Sequence, residues 1–186
     1  MKKVNNIFIK FLLIFVSASF LLTVPPVFAS PYGAGKYDAS VPYGGQTSLT
    51  ISAANVLIAA VPSSGGTLST STNTVTVSST DVTGYKLYVN ALGSTSLTSV
   101  AGSIPASSNV TGAALSTDTW GYNTDASTNF LGMTTAAALI KTFVGPAAPG
   151  TGGDATTVTY GVKLDLTKPA GSYSTTILYT AVPQTT

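Results

Sequence analysis

From Thr156 to Leu166 apolar and polar positions alternate without a break. Val158, Tyr160, Val162, Leu164 and Leu166 fall on one side, and Thr157, Thr159, Gly161, Lys163 and Asp165 on the other. A period of two is that of a strand buried on one face. After the Lys168-Pro-Ala-Gly171 break, Tyr173 to Val182 is rich in β-branched and aromatic residues, so a second strand and a closing hairpin are expected. Shorter runs of the same kind precede them. Gln46–Ser52 places Leu49 and Ile51 on one side, Asn55–Val61 is apolar up to Pro62, and Thr74–Ser79 sets Val75 and Val77 inward against threonines. Tyr85, Leu87 and Val89 interleave with Lys86, Tyr88 and Asn90. Between Gly93 and Ser116 the pattern weakens to one short strand near Ser96–Val100, and Thr119–Asn123 forms another around Trp120. Met133–Lys141 suits a helical turn or the approach to a strand, and Gly145–Asp154 reads as a loop. Many short strands with Gly/Ser/Pro turns, and no long helical crossover, predict an all-β fold, an antiparallel β-sandwich spanning 46–186.

The N-terminus obeys a different pattern. Lys2, Lys3 and Lys10 precede an apolar block from Phe11 to Leu22, then Pro25-Pro26 and Val27-Phe-Ala29. A basic start, a short apolar stretch and a small residue at the cut define a secretory signal peptide, 1–29, expected to be cleaved before Ser30. A membrane span wants about 20 apolar residues, and Lys10 and the proline pair interrupt this one. Residues 30–45 repeat Pro-Tyr-Gly at 31 and 42 and read as a Gly/Tyr/Pro-rich arm. Donor-strand pairing by this arm would require alternating apolar residues, which it lacks.

Export changes the charge balance. The signal carries three of the eight lysines and no aspartate, so five Lys and six Asp remain, a formal charge of −1. The basic character of the whole chain belongs to the signal, and no basic patch is left for nucleic acid or a membrane surface. Ser and Thr make up 49 of the 157 remaining residues, so the outward strand positions are hydroxyls instead of charges. There is no Cys, His, Arg or Glu.

Three phrases carry a resemblance. Thr83-Gly-Tyr-Lys-Leu-Tyr-Val89, Ala114-Leu-Ser-Thr-Asp-Thr-Trp-Gly-Tyr122, and Thr157-Val-Thr-Tyr-Gly-Val-Lys163 with Lys168-Pro-Ala-Gly-Ser-Tyr173 resemble secreted, Ser/Thr-rich bacterial surface proteins. The closing phrase is also similar to strands of coat-protein-U and pilus-type sandwiches. The resemblance implies an immunoglobulin-like sandwich and a structural or adhesive surface role, with no assigned activity. Pilus-type domains further imply Lys–Asn cross-links, for which Lys86 and Lys163 are available. Such a bond needs a buried acid beside the pair, and only Asp could supply it.

Candidate chemistry is sparse. Without His or Cys, a Ser-His-Asp or Cys-based centre is excluded, and no Ser-x-x-Lys spacing occurs after the signal. Asp118 and Asp125 are the nearest carboxylate pair, expected to be solvated loop residues, and no enzyme is expected. Asp118, Asn123 and Asp125 offer three oxygens that calcium could use. Their spacing lacks the EF-hand pattern and its Glu, so an Asx-rich turn is the default, with no metal or cofactor. Trp120, Tyr122, Asn123 and Asp125 are the candidate ligand contacts. In one reading the rings stack on a sugar while Asn123 and Asp125 take hydroxyls. In the other, favoured by the energy of ring burial, Trp120 and Tyr122 share an inward face. The expected protein is secreted or held at the cell surface, structural or adhesive, with envelope components, copies of itself or glycans as partners. Neither nucleic acid nor, after cleavage, membrane is expected. A carbohydrate-binding module around Trp120 is the alternative.

Overall fold

Alternation of Val and Thr produces the longest strand, β2 (Thr67–Ser79), whose Val75 and Val77 are fully buried while Thr70 and Thr72 face solvent. The computed structural model describes residues 47–51, 55–79, 82–147 and 152–184; the expected signal (1–29) and arm (30–45) lie outside the described residues. The other strands are β1 (Thr47–Ile51), β3 (Gly84–Ala91), β4 (Leu97–Ser99), β5 (Gly102–Ile104), β6 (Thr119–Asn123), β7 (Ala138–Val144), β8 (Asp154–Leu164) and β9 (Ile177–Gln184). No helix occurs among the described residues, and every ladder between strands is antiparallel.

One sheet has the order β1-β2-β8-β6 and a second β7-β3-β9, with β4-β5 as a small hairpin. In the first sheet β2 and β8 pair from Thr67↔Leu164 to Val77↔Asp154, and β6 adds to the other edge of β8. In the second, β3 pairs with β9 from Gly84↔Gln184 to Ala91↔Ile177. The chain thus crosses between sheets from β2 to β3 and again from β8 to β9. Both sheets feed one core: Val75 and Val77 of β2, Tyr85, Leu87 and Val89 of β3, Val158, Tyr160, Val162 and Leu164 of β8, and Tyr179 of β9. This is an all-β architecture of antiparallel sheets, consistent with a β-sandwich. Each fully buried Val or Leu here contributes about 1.5–3 kcal/mol relative to exposure.

Several expectations are corrected. The two C-terminal strands do not form a hairpin, because β8 pairs with β2 and β6 while β9 pairs with β3. Periodicity identifies a strand's inward face but not its neighbour. The inward faces of β8 and β9 instead meet across the core, where the Tyr160 and Tyr179 hydroxyls are hydrogen-bonded to each other. Leu166 is 69% exposed, since β8 stops at Leu164. There the backbone N–H of Asp165 turns to donate to Asp118 Oδ1 at 3.2 Å. Residues 55–61 form no ladder, although their exposure alternates. Val56, Ile58 and Ala60 pack on the core while Leu57 and Val61 face solvent. For Met133–Lys141, where the sequence leaves a helical turn and the approach to a strand both open, the strand is found, from Ala138 onward.

Candidate functional site

β6 is short, yet all of Trp120 to Asn123 is buried. Its outer edge is covered by irregular segments in place of a further strand. Trp120 exchanges backbone hydrogen bonds with Pro105 O and Ser107 N, and Tyr122 does so with both backbone groups of Leu131. The Trp120 indole N–H donates to Thr95 O at 2.9 Å, and its ring lies tilted against Tyr160 with centroids 6.5 Å apart.

Beside Trp120 the core opens into a cavity of about 340 Å³. Its buried wall is Asn73, Trp120, Tyr160 and Tyr179; its rim is formed by Asn55, Val56 and Ile58, by Leu97, and by Tyr173 to Ile177. Asn73 hydrogen-bonds Tyr179, which is joined to Tyr160, so a chain of polar side chains crosses the inter-sheet space here. Burial raises the Tyr160 phenol far above its ordinary range, and the neighbouring Tyr179 and Tyr122 add to that. Burial also raises Tyr179, with the bonds from Tyr160 and Asn73 partly opposing, and it raises Tyr122. These phenols are neutral donors and acceptors at any physiological pH. The cavity can hold a ligand through rings and neutral hydrogen-bonding groups, and it offers no proton to transfer near neutrality.

The four candidate contacts are not brought to one place. Trp120 lines the cavity, whereas Tyr122 and Asn123 do not. Both are buried, and the Asn123 amide donates to Ser127 O at 2.9 Å and Asn129 O at 3.0 Å. Asp125 is exposed in the turn after β6, where the Ser127 hydroxyl and N–H hold its carboxyl below the usual range. Asp118 sits at the other end of β6 in the left-handed region (φ 61°), which Asp tolerates. It accepts from Asp165 N and from the Thr167 hydroxyl, both at 3.2 Å. At about 3.3 Å per strand residue, β6 holds Asp118 and Asp125 far apart, so Asp118, Asn123 and Asp125 do not converge on one cation. No group of three His, Cys, Asp or Glu that could hold a metal occurs among the described residues.

Two features had no sequence signal. One is the cavity itself, assembled from residues of β2, β4, β6, β8 and β9 and two irregular segments. The other is a clamp between the sheets: the Tyr85 hydroxyl donates to Asp154, which pairs with Lys141 at 2.6 Å, while Phe143 stacks on Tyr85 at 5.4 Å. Burial, then the Asp154 carboxylate, raises the Tyr85 phenol. Among the described residues neither Lys86 nor Lys163 joins an ion pair.

Comparison with protein-family models, curated proteins and solved structures finds no match to this chain.

Proposed function

We propose that this is an exported, non-catalytic β-sandwich protein of immunoglobulin-like type, serving as a structural or adhesive element at the cell surface. The observation that carries the reading is a signal-peptide pattern at the N-terminus of a chain whose β body is hydroxyl-faced and cysteine-free. Outward positions such as Thr70, Thr72 and Thr180 are neutral and polar, which suits a stable external scaffold in contact with envelope components or copies of itself.

The immunoglobulin-like assignment is supported by strand order. In that fold the second strand pairs with the fifth in one sheet, and the third with the sixth in the other. Here β2 pairs with β8 in one sheet and β3 with β9 in the other, and the chain crosses between sheets from β2 to β3 and from β8 to β9. β6 lies beyond β8, as the fourth strand lies beyond the fifth. β7 is an addition beside β3, and no described strand lies beyond β9, where the fold's seventh strand would be.

The test is to fractionate cells producing the full chain and sequence the N-terminus of the recovered protein. The expected result is a chain beginning at Ser30 in the envelope or medium, accessible to added protease. Recovery from the cytoplasm with Met1 in place overturns the proposal.

A further inference from the structure

We infer that the cavity beside Trp120 is a binding site for a neutral saccharide. This rests on the adhesive half of the reading above and names the chemistry of the contact. None of the lining residues is charged. A phosphate, a uronate, a sulfated glycan or a metal ion would therefore be desolvated there without a counter-charge. The lining instead interleaves three kinds of neutral group: the rings of Trp120, Tyr160, Tyr173 and Tyr179, the aliphatic Val56, Ile58, Leu97 and Ile177, and amides and hydroxyls from Asn55, Asn73, Ser174, Thr175 and Thr176. A sugar ring has the complementary make-up, a C–H face for an aromatic surface and a rim of hydroxyls. The volume falls at the lower end of the roughly 300–1,000 Å³ of small-ligand sites.

Roles within the site follow from exposure and bonding. Trp120 is only 3% exposed and its N–H is committed to Thr95, so it forms wall and not platform. Tyr173 stands half-buried on the rim with its hydroxyl anchored to Pro169 O at 2.8 Å, which fixes the ring for stacking. The side chains of Asn55, Ser174 and Thr176 are exposed at the mouth and have no protein partner among the described residues, leaving them for ligand hydroxyls. Two rival occupants fit less well. An acyl chain would strip water from those amides and hydroxyls and give nothing back. An added peptide strand would need the backbone of the rim. Ser174 N and O are already paired with Thr98, and Thr176 O with Leu92 N.

The chain's only tryptophan reports on the site. Protein recovered from producing cells is titrated with neutral hexoses, N-acetylhexosamines and their disaccharides while Trp120 emission is followed. A saturable change with at least one neutral sugar is expected. Tyr173→Ala weakens it at least tenfold and Thr176→Ala several-fold, with circular dichroism unchanged. Leu178→Ala, on the solvent side of β9, leaves the affinity as it was. Thr176 is an exposed rim residue, so its variant tests the site without risk to the fold. The inference is overturned if no neutral sugar alters the emission of folded protein, if uronates or sugar phosphates bind more tightly than neutral sugars, or if a fatty acid displaces the sugar. N-terminal sequencing of the same sample reports separately on export, so failure of the site and failure of the surface role are distinguishable.

Discussion

Four phenols in this protein are driven in one direction by their surroundings. Burial raises Tyr85, Tyr122, Tyr160 and Tyr179, and for Tyr85 the Asp154 carboxylate adds to the effect. A phenol whose folded pKa exceeds the unfolded value of about 10 keeps its proton in the native state after the unfolded chain has lost it. The unfolded state then binds fewer protons, so stability is complete below about pH 10 and falls as pH rises toward the folded values. Each such tyrosine removes about 1.4 kcal/mol per pH unit in that window. Alkaline titration should therefore show these four phenolates appearing only together with loss of the native circular dichroism. Tyr160→Phe and Tyr179→Phe should each make the alkaline limb shallower. Phenolates from these residues forming in a still-folded protein would contradict the geometry. The burial of Tyr160 was readable from alternation alone. The hydrogen bond between its hydroxyl and that of Tyr179 was not, because it depends on two strands of different sheets meeting across the core.

At the scale of elements, two glycines explain why Trp-Gly-Tyr and Tyr-Gly-Val occur where they do. Gly121 of β6 and Gly161 of β8 are directly paired across the ladder, on the face opposite Trp120 and Tyr160. A Cβ on Gly161 would come within 2.6 Å of the Phe130 ring, and one on Gly121 within 2.3 Å of Leu131 O. The paired glycines thus make a flat slot on the outer face of the sheet. Phe130, fully buried, fills it as the chain returns over β6. Gly161→Ala should cost about 1–3 kcal/mol by overpacking, and Phe130→Ala about 3–5 kcal/mol by leaving the slot empty. Because the two changes act on one space, they should not add. In the Phe130→Ala background most of the Gly161→Ala cost should disappear, as measured by denaturant unfolding of the double-mutant cycle. Additive costs would mean that Phe130 does not occupy the slot. Alternation along β8 gave the inward positions Val158 to Leu164 correctly, and it even marked Gly161 as outward. It could not say that an outward glycine lies under an aromatic ring, since the covering residue comes from an irregular segment with no period. The same limit hid the cavity: Asn55, Val56, Ile58 and residues 173–176 line it without belonging to any named strand.

For the molecule as a whole, the order in which partners emerge along the chain matters more than any single contact. The longest ladder joins Thr67 to Leu164, and the second sheet is completed only when Ile177–Gln184 pairs with β3. The ladders of both main sheets join segments distant in sequence, so loop-closure entropy must be met before burial begins to repay it. A chain arranged this way cannot form its core until β8 and β9 are both present. That property suits a protein proposed to cross a membrane before folding, because no early subdomain can lock it on the wrong side. Refolding from denaturant should accordingly be slow for a domain of this size, in the milliseconds-to-seconds range of sandwich topologies. Removing Ile177–Gln184 should do more than trim an edge. It deletes Tyr179 from the core and unpairs Gly84–Ala91 along one side, leaving Tyr85, Leu87 and Val89 without their β9 neighbours. The truncated chain should lack a cooperative unfolding transition and be digested rapidly by protease at sites the full chain protects. A truncated protein that still unfolds cooperatively would show that the β1-β2-β8-β6 sheet holds together without the second sheet, and the interlocking of the two would then be incidental to stability.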